Sequence, residues 1–268
     1  LFSDDVFSFL LYLAAGAFAG VLAGLFGIGG GMVIVPVLIF SFMAAGVDEQ
    51  VLTHMAIATS LASIVFTSLS SVHQHHLARA IDWQLVINMV AGIVVGTTAG
   101  VILISGVPGY VLEKLIGIFS LLTAIKMFSN WQPPGNAEDR PGKVNLFTAG
   151  GLIGFGSSWF GIGGGTFTVP YLTWMRVNVR QAVATSAACG IPIALTATIN
   201  NIWTGWNHES LPEWSTGYVY WPAVLGIVIT SVPFAKVGAK LAHSMDTRLL
   251  TRLFAVLLCV VGVRFLLY

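Results

Sequence analysis

Long apolar runs broken by short polar joints set the pattern of this chain. Ten such runs are legible, over residues 6–25, 32–45, 51–71, 83–104, 110–128, 144–160, 166–176, 180–203, 217–238 and 247–267. Most reach the ~20 residues that a helix needs to cross a hydrocarbon core. The second and seventh are shorter, as a half-helix would be. A single long polar connection, Ser129 to Lys143, divides the chain and contains Trp131-Gln132-Pro133-Pro134-Gly135-Asn136, a loop composition. The expected organisation is a membrane repeat over 1–129, a linker over 130–143 and a second membrane repeat over 144–268.

The halves resemble each other. Gly24–Leu38 aligns with Ser158–Leu172, 134 positions later, so that Phe26-Gly27-Ile28-Gly29-Gly30-Gly31 with Val35-Pro36 returns as Phe160-Gly161-Ile162-Gly163-Gly164-Gly165 with Val169-Pro170. Ala58-Thr59-Ser60 recurs as Ala184-Thr185-Ser186, Gly92-Ile93-Val94 as Gly226-Ile227-Val228, and Lys126 falls opposite Arg264. Five segments per half is an odd number, so the second copy must enter the membrane from the opposite side. The expected fold is therefore an all-α polytopic membrane protein built from two inverted repeats of about five helical segments, with glycine-rich broken helices or hairpins meeting near the midplane.

Composition agrees with that class. Hydrophobic residues make up 56% of the chain and charged residues 9%, and the mean hydropathy is +0.86. A soluble domain carries about a quarter charged residues. The net charge of +1 says little as a total; its distribution says more. With loops alternating sides, one face receives Arg79, Lys126, Arg140, Lys143, Arg176, Arg180, Lys236, Lys240, Arg248 and Arg252, leaving Lys114 and Arg264 for the other. The positive-inside rule puts the first face, with linker 130–143, in the cytoplasm and both termini outside. Val6 to Leu25 follows Asp4 and Asp5 and runs on as a full span, which differs from a cleavable leader. Cys189 and Cys259 lie in separate apolar segments and read as small hydrophobes, with no disulfide framework.

The two F-G-I-G-G-G…V-P stretches, the Ala-Thr-Ser of each following helix and Gly238-Ala239-Lys240-Leu241-Ala242 before a Leu/Phe-rich last helix together resemble the TauE/SafE family over essentially the whole chain. That resemblance implies a bacterial inner-membrane protein that exports sulfite or small organosulfonates such as sulfoacetate, with uptake of a related anion as the alternative direction. No cofactor, metal or nucleic-acid partner is expected, only a small anion and the bilayer.

The residues themselves lead to a compatible site. Each glycine run precedes a short helix, whose first N–H groups are unpaired and carry partial positive charge. Glycine lets an anion approach that backbone closely. The expected anion donors are the N–H groups of Gly29, Gly30, Gly31, Gly163, Gly164 and Gly165, with hydroxyls of Thr59, Ser60, Thr185 and Ser186 converging from the next helices. The alternative is structural: glycines allow close packing and Ser/Thr hydroxyls bond their own i−4 carbonyl. Ser157, Ser158 and Trp159 precede only the second turn, where the first copy has Ala23, Gly24 and Leu25. Packing is the expected role for them, and an asymmetric site is the alternative.

His73, His75 and His76 are placed in a cytoplasmic loop and read as solvated, and His54 as a helix-end histidine able to titrate. An intramembrane protease fits poorly, because a serine nucleophile needs a base within reach and the later apolar segments hold no histidine. An anion channel is the nearer rival to a carrier.

Overall fold

The computed structural model describes residues 2–26, 30–129, 142–241 and 247–267. Its helices are α1 (Phe2–Phe26), α2 (Gly31–Ala44), α3 (Glu49–Leu77), α4 (Trp83–Ile104), α5 (Gly109–Ser129), α6 (Lys143–Phe160), α7 (Gly165–Trp174), α8 (Val179–Thr204), α9 (Trp221–Leu241) and α10 (Thr247–Leu267). They coincide with the ten apolar runs to within a few residues. Residues 130–141 of the linker lie outside the described part, as do Gly27–Gly29.

Side-chain chemistry sets several helix starts. Asp48 caps α3 by accepting from the Gln50 N–H at 2.9 Å. Asp82 caps α4 through the N–H groups of Gln84 and Leu85 at 3.1 and 3.2 Å, and Asn178 caps α8 through Gln181 at 2.8 Å. α3 and α8 form the middle of the molecule, and α3 is buried without interruption from Val51 to Ile64. Helices of the two halves interleave around this pair: α1 packs on α9, α4 on α6 and α5 on α10.

Two of those contacts are made by equivalent residues. α4 brings Gly92 and Gly96 against α6, where a β-carbon on either would overlap the Phe147 or Gly151 carbonyl oxygen, and Gly150 and Gly154 on α6 press on α4 in turn. On α1, Gly16 and Gly20, each 134 positions before Gly150 and Gly154, press in the same way on Ile227 and Ser231 of α9. Such small-residue stripes let helices approach closely where lipid offers no hydrophobic drive to pack. The outward faces stay apolar: Ile87 on α4 is 66% exposed, Leu152 on α6 76% and Ile199 on α8 59%, as suits a lipid-facing surface. By length and composition, searched over the described residues, α3, α4 and α8 can each cross a membrane, while α2 and α7 are short, at 14 and 10 residues. The molecule is a multi-pass membrane protein.

Two details differ from the sequence reading. His73, His75 and His76 stand in the last turns of α3, which continues to Leu77. Histidines there suit the negative end of the helix dipole, so polarity alone did not mark a loop. Ahead of α9, Ser215–Thr216 and Val219–Tyr220 pair as a short antiparallel hairpin, a departure from a purely helical chain that two-residue strands are too short to announce.

Candidate functional site

The second glycine turn begins where α6 stops. Gly161 takes a left-handed conformation (φ 64°) with its N–H on the Ser157 carbonyl, and the Ile162 N–H returns to the same oxygen at 3.1 Å. Gly164 is left-handed again (φ 81°) and caps α7. Its carbonyl accepts from Phe167 at 3.0 Å and Thr168 at 2.7 Å. The first turn repeats this cap: Gly30 (φ 70°) precedes α2 and accepts from Val33 at 3.0 Å and Ile34 at 3.2 Å. Left-handed backbone favours glycine at these positions because other residues lack a low-cost minimum there. Among the described residues, the N–H groups of Gly31, Met32, Gly165 and Thr166 have no backbone acceptor.

The two turns touch. A β-carbon on Gly31 would collide with the Gly161 carbonyl oxygen and lie 3.0 Å from the Ile162 Cα. Met32 and Thr166, which occupy the same place in the two copies, meet across the gap, the Thr166 hydroxyl pointing at the Met32 sulfur at 3.7 Å. Gly163 lies against Ile64 of α3, and Gly190 of α8 against the Gly163 carbonyl. The N-termini of α2 and α7 thus face one another, enclosed by α3 and α8. Gly30, Gly31, Gly163, Gly164 and Gly165 are all assembled here, while Gly29 lies outside the described residues.

The four hydroxyls singled out in the sequence are fully buried, and they divide by role. Thr59 accepts the Tyr220 N–H at 3.1 Å, just ahead of α9. Thr185 accepts the Asp82 N–H at 3.0 Å, just ahead of α4. The two therefore hold corresponding helix starts, although each keeps its O–H free to donate. Ser60 donates to the Gly161 carbonyl at 2.8 Å. The Ser186 hydroxyl has no partner.

Ser158 and Ser157 also divide. Ser158 bonds the Phe155 carbonyl of its own helix at 2.8 Å, whereas Ser157, equally buried, leaves its hydroxyl unpartnered. Thr168 on α7 does the same. Sequence reading passed Thr168 over; the signal lay in its place, since the equivalent residue of the first copy is Ile34.

His54 is buried in α3, its Nε2–H donating to the Ile104 carbonyl at 3.0 Å and its ring stacked on Tyr218 at a centroid distance of 5.3 Å. A carbonyl can only accept, so this bond fixes the proton on Nε2 in the neutral ring. Described acidic side chains sit at helix starts or in loops: Asp48 and Asp82 are caps, Glu49 opens α3, Glu113 lies in the second turn of α5 beside Thr53, and Glu209 and Glu213 follow α8.

The family model for the sulfite exporter TauE/SafE matches residues 12–265. A protein of Haemophilus influenzae described as a probable membrane transporter is 37% identical, with 95% of this chain and 96% of that one aligned. One of Methanocaldococcus jannaschii, described in the same words, is 32% identical over 97% and 98%, and one of Bacillus subtilis 25% identical over 95% and 96%. No solved structure matches.

Proposed function

The chain belongs to the TauE/SafE family of membrane transporters, and from that membership we propose that it carries a small sulfur-containing oxyanion, sulfite or an organosulfonate, across a bacterial inner membrane by alternating access. The observation that carries the reading is the meeting of the two glycine turns. Two helix N-termini face each other inside the bundle, in contact through Gly31 and Gly161 and through Met32 and Thr166, and their first N–H groups have no backbone acceptor among the described residues. Opposed half-helix ends of this kind suit an acceptor-only anion, because fixed dipoles stabilise it without a buried countercharge. The donors available to such an anion are the N–H groups of Gly29 to Gly31 and Gly163 to Gly165 and the hydroxyls of Thr59, Thr185 and Ser186; Ser60, also expected to donate, has its proton on the Gly161 carbonyl and fastens the turn instead.

The inverted-repeat reading, with repeats over 1–129 and 144–268, draws support from how the helices exchange. Swapping the halves turns the α1–α9 contact into the α6–α4 contact and leaves α3–α8 and α5–α10 unchanged. It also turns the Thr59 bond ahead of α9 into the Thr185 bond ahead of α4. A central pair flanked by two equivalent helix pairs, each joining the halves, is the arrangement that an inverted repeat generates. Both termini outside and a cytoplasmic linker follow from the positive-inside distribution.

Counterflow tests the reading. Proteoliposomes loaded with unlabelled sulfite should accumulate labelled sulfite transiently against its gradient, and the flux should saturate. Linear, non-saturating flux without counterflow is the signature of a channel, and absence of protein-dependent flux for sulfite and for sulfoacetate removes the substrate class.

A further inference from the structure

Polarity is unevenly distributed between the two glycine turns. Ser157 on α6 and Thr168 on α7 are both fully buried, and neither hydroxyl has a hydrogen-bond partner. They border the same residue. A β-carbon on Gly164 would stand 3.4 Å from Thr168 Oγ1 and 3.8 Å from Ser157 Oγ, with the terminal methyl of Ile193 on a third side. Gly164 caps α7, so both oxygens flank that helix's N-terminus, next to the unpaired N–H groups of Gly165 and Thr166.

A serine or threonine in an apolar helix ordinarily settles its hydroxyl on a carbonyl of the preceding turn. Ser158 does so on Phe155, Thr173 on Val169 and Thr198 on Ala194. Ser157 and Thr168 do not, and an unpaired hydroxyl in a dry interior is unfavourable. Turn architecture does not demand them either. The first turn is capped by Gly30 in the same way, yet 134 positions before Ser157 and Thr168 it carries Ala23 and Ile34.

We propose that the transported oxyanion is seated at the second turn alone, held by the Ser157 and Thr168 hydroxyls together with the N–H groups of Gly165 and Thr166, while the first turn serves as its apolar counterpart. The inference rests on the reading of the chain as an oxyanion carrier and makes its site asymmetric. Hydroxyls can also accept, but a cation would face the positive end of α7, whereas an anion is served by both the N–H groups and the hydroxyls. A sulfite or sulfonate group, with three acceptor oxygens on one sulfur, can share its oxygens among these two backbone and two side-chain donors.

The test uses the full purified chain, with sodium sulfite and sodium sulfoacetate as probes in calorimetric titration and in thermal unfolding. Because neither hydroxyl has a protein partner, Ser157→Ala and Thr168→Val should be as stable as the parent without anion. Each should bind both probes roughly tenfold more weakly, the order expected for one hydrogen bond to a charged group, and should lose most of the anion-induced thermal shift. Thr168→Ser, which keeps the hydroxyl, and Ile34→Val, at the first turn, should retain parental affinity. Parental affinity in both Ser157→Ala and Thr168→Val overturns the asymmetric seat and leaves the carrier reading intact. A loss of anion-free stability in both also overturns it, by showing that the hydroxyls are bonded within the protein. A parent chain that neither binds the probes nor shows counterflow removes the carrier reading and this inference together.

Discussion

The hydroxyl of Ser60 on α3 donates a 2.8 Å hydrogen bond to the carbonyl of Gly161, the residue at which α6 ends. A helix of the first half thereby fastens the glycine turn of the second. Both groups are buried, so removing the donor strands a carbonyl in an apolar interior. The equivalent serine, Ser186, has no such partner. Ser60→Ala should therefore lose about 1–3 kcal/mol of stability, and Ser186→Ala close to none. Thermal or denaturant unfolding of the two variants in one detergent measures the difference, and equal losses would contradict it.

Thr59 and Thr185 lead to a paired expectation. Each accepts one backbone N–H at the start of a helix, from Tyr220 and Asp82 respectively. Thr59→Val and Thr185→Val keep the shape and remove the acceptor, leaving a partly buried N–H unpaired in each case. Each should be destabilised by about 1 kcal/mol or more, and the two losses should be similar. Loss of anion affinity at fixed stability would instead place these hydroxyls on the substrate.

The ten helices were legible because in a membrane protein the solvent imposes the pattern: a segment that must satisfy its backbone in lipid has to be both helical and long. The turns were legible for a related reason, since Gly30 and Gly164 take left-handed conformations that favour glycine. What the hydroxyls do was not legible. Thr59 and Ser60 are adjacent and equally polar, yet one accepts from Tyr220 and the other donates to Gly161, 160 or so and about 100 residues away. Partners that distant depend on tertiary packing, which leaves no local periodicity. Ser157 and Ser158 make the same point one residue apart. The histidines at the end of α3 were misplaced because a helix projecting beyond the apolar core looks like a loop in composition.

Gly31 tests how tightly the turns meet. A β-carbon there would run into the Gly161 carbonyl oxygen, the Ile162 Cα and the Ile64 Cδ1. Two of these are backbone atoms of the other turn and cannot rotate away. Gly31→Ala should separate α2 from the second turn and cost about 2 kcal/mol or more, in the upper range for overpacking a dense core. Gly106→Ala, where the nearest described atom to the added carbon is the Leu103 carbonyl oxygen at 3.9 Å, should be close to neutral. Folded yield and unfolding midpoint of the two variants, compared in the same host and detergent, supply the measurement; equal behaviour would mean that the turns are not in contact in the membrane.

Energy coupling follows from where the acidic groups are. Proton-driven carriers use intramembrane carboxylates as relays, but the described ones here are helix caps, helix starts and loop residues, and Glu113 is engaged by the Thr53 hydroxyl at 2.7 Å. His54, the buried histidine of α3, has its Nε2 proton committed to the Ile104 carbonyl. With no carboxylate relay among the described residues, the membrane potential itself can drive export. An anion leaving a negative-inside cell gains about 2.3 kcal/mol per charge for each 100 mV, and a divalent one about twice that. Electrogenic export is the expected result. In vesicles with equal pH and sodium on both sides, a potassium gradient with valinomycin should move labelled sulfite toward the positive compartment, at a rate that rises with the imposed potential. His54→Gln should leave that dependence unchanged, since its side-chain amide can still donate to a carbonyl. Flux that ignores the potential but follows an imposed pH or sodium gradient would show that the anion travels with a coupling ion, and a loss of pH-driven flux in His54→Gln would then identify the histidine as the group that carries the proton.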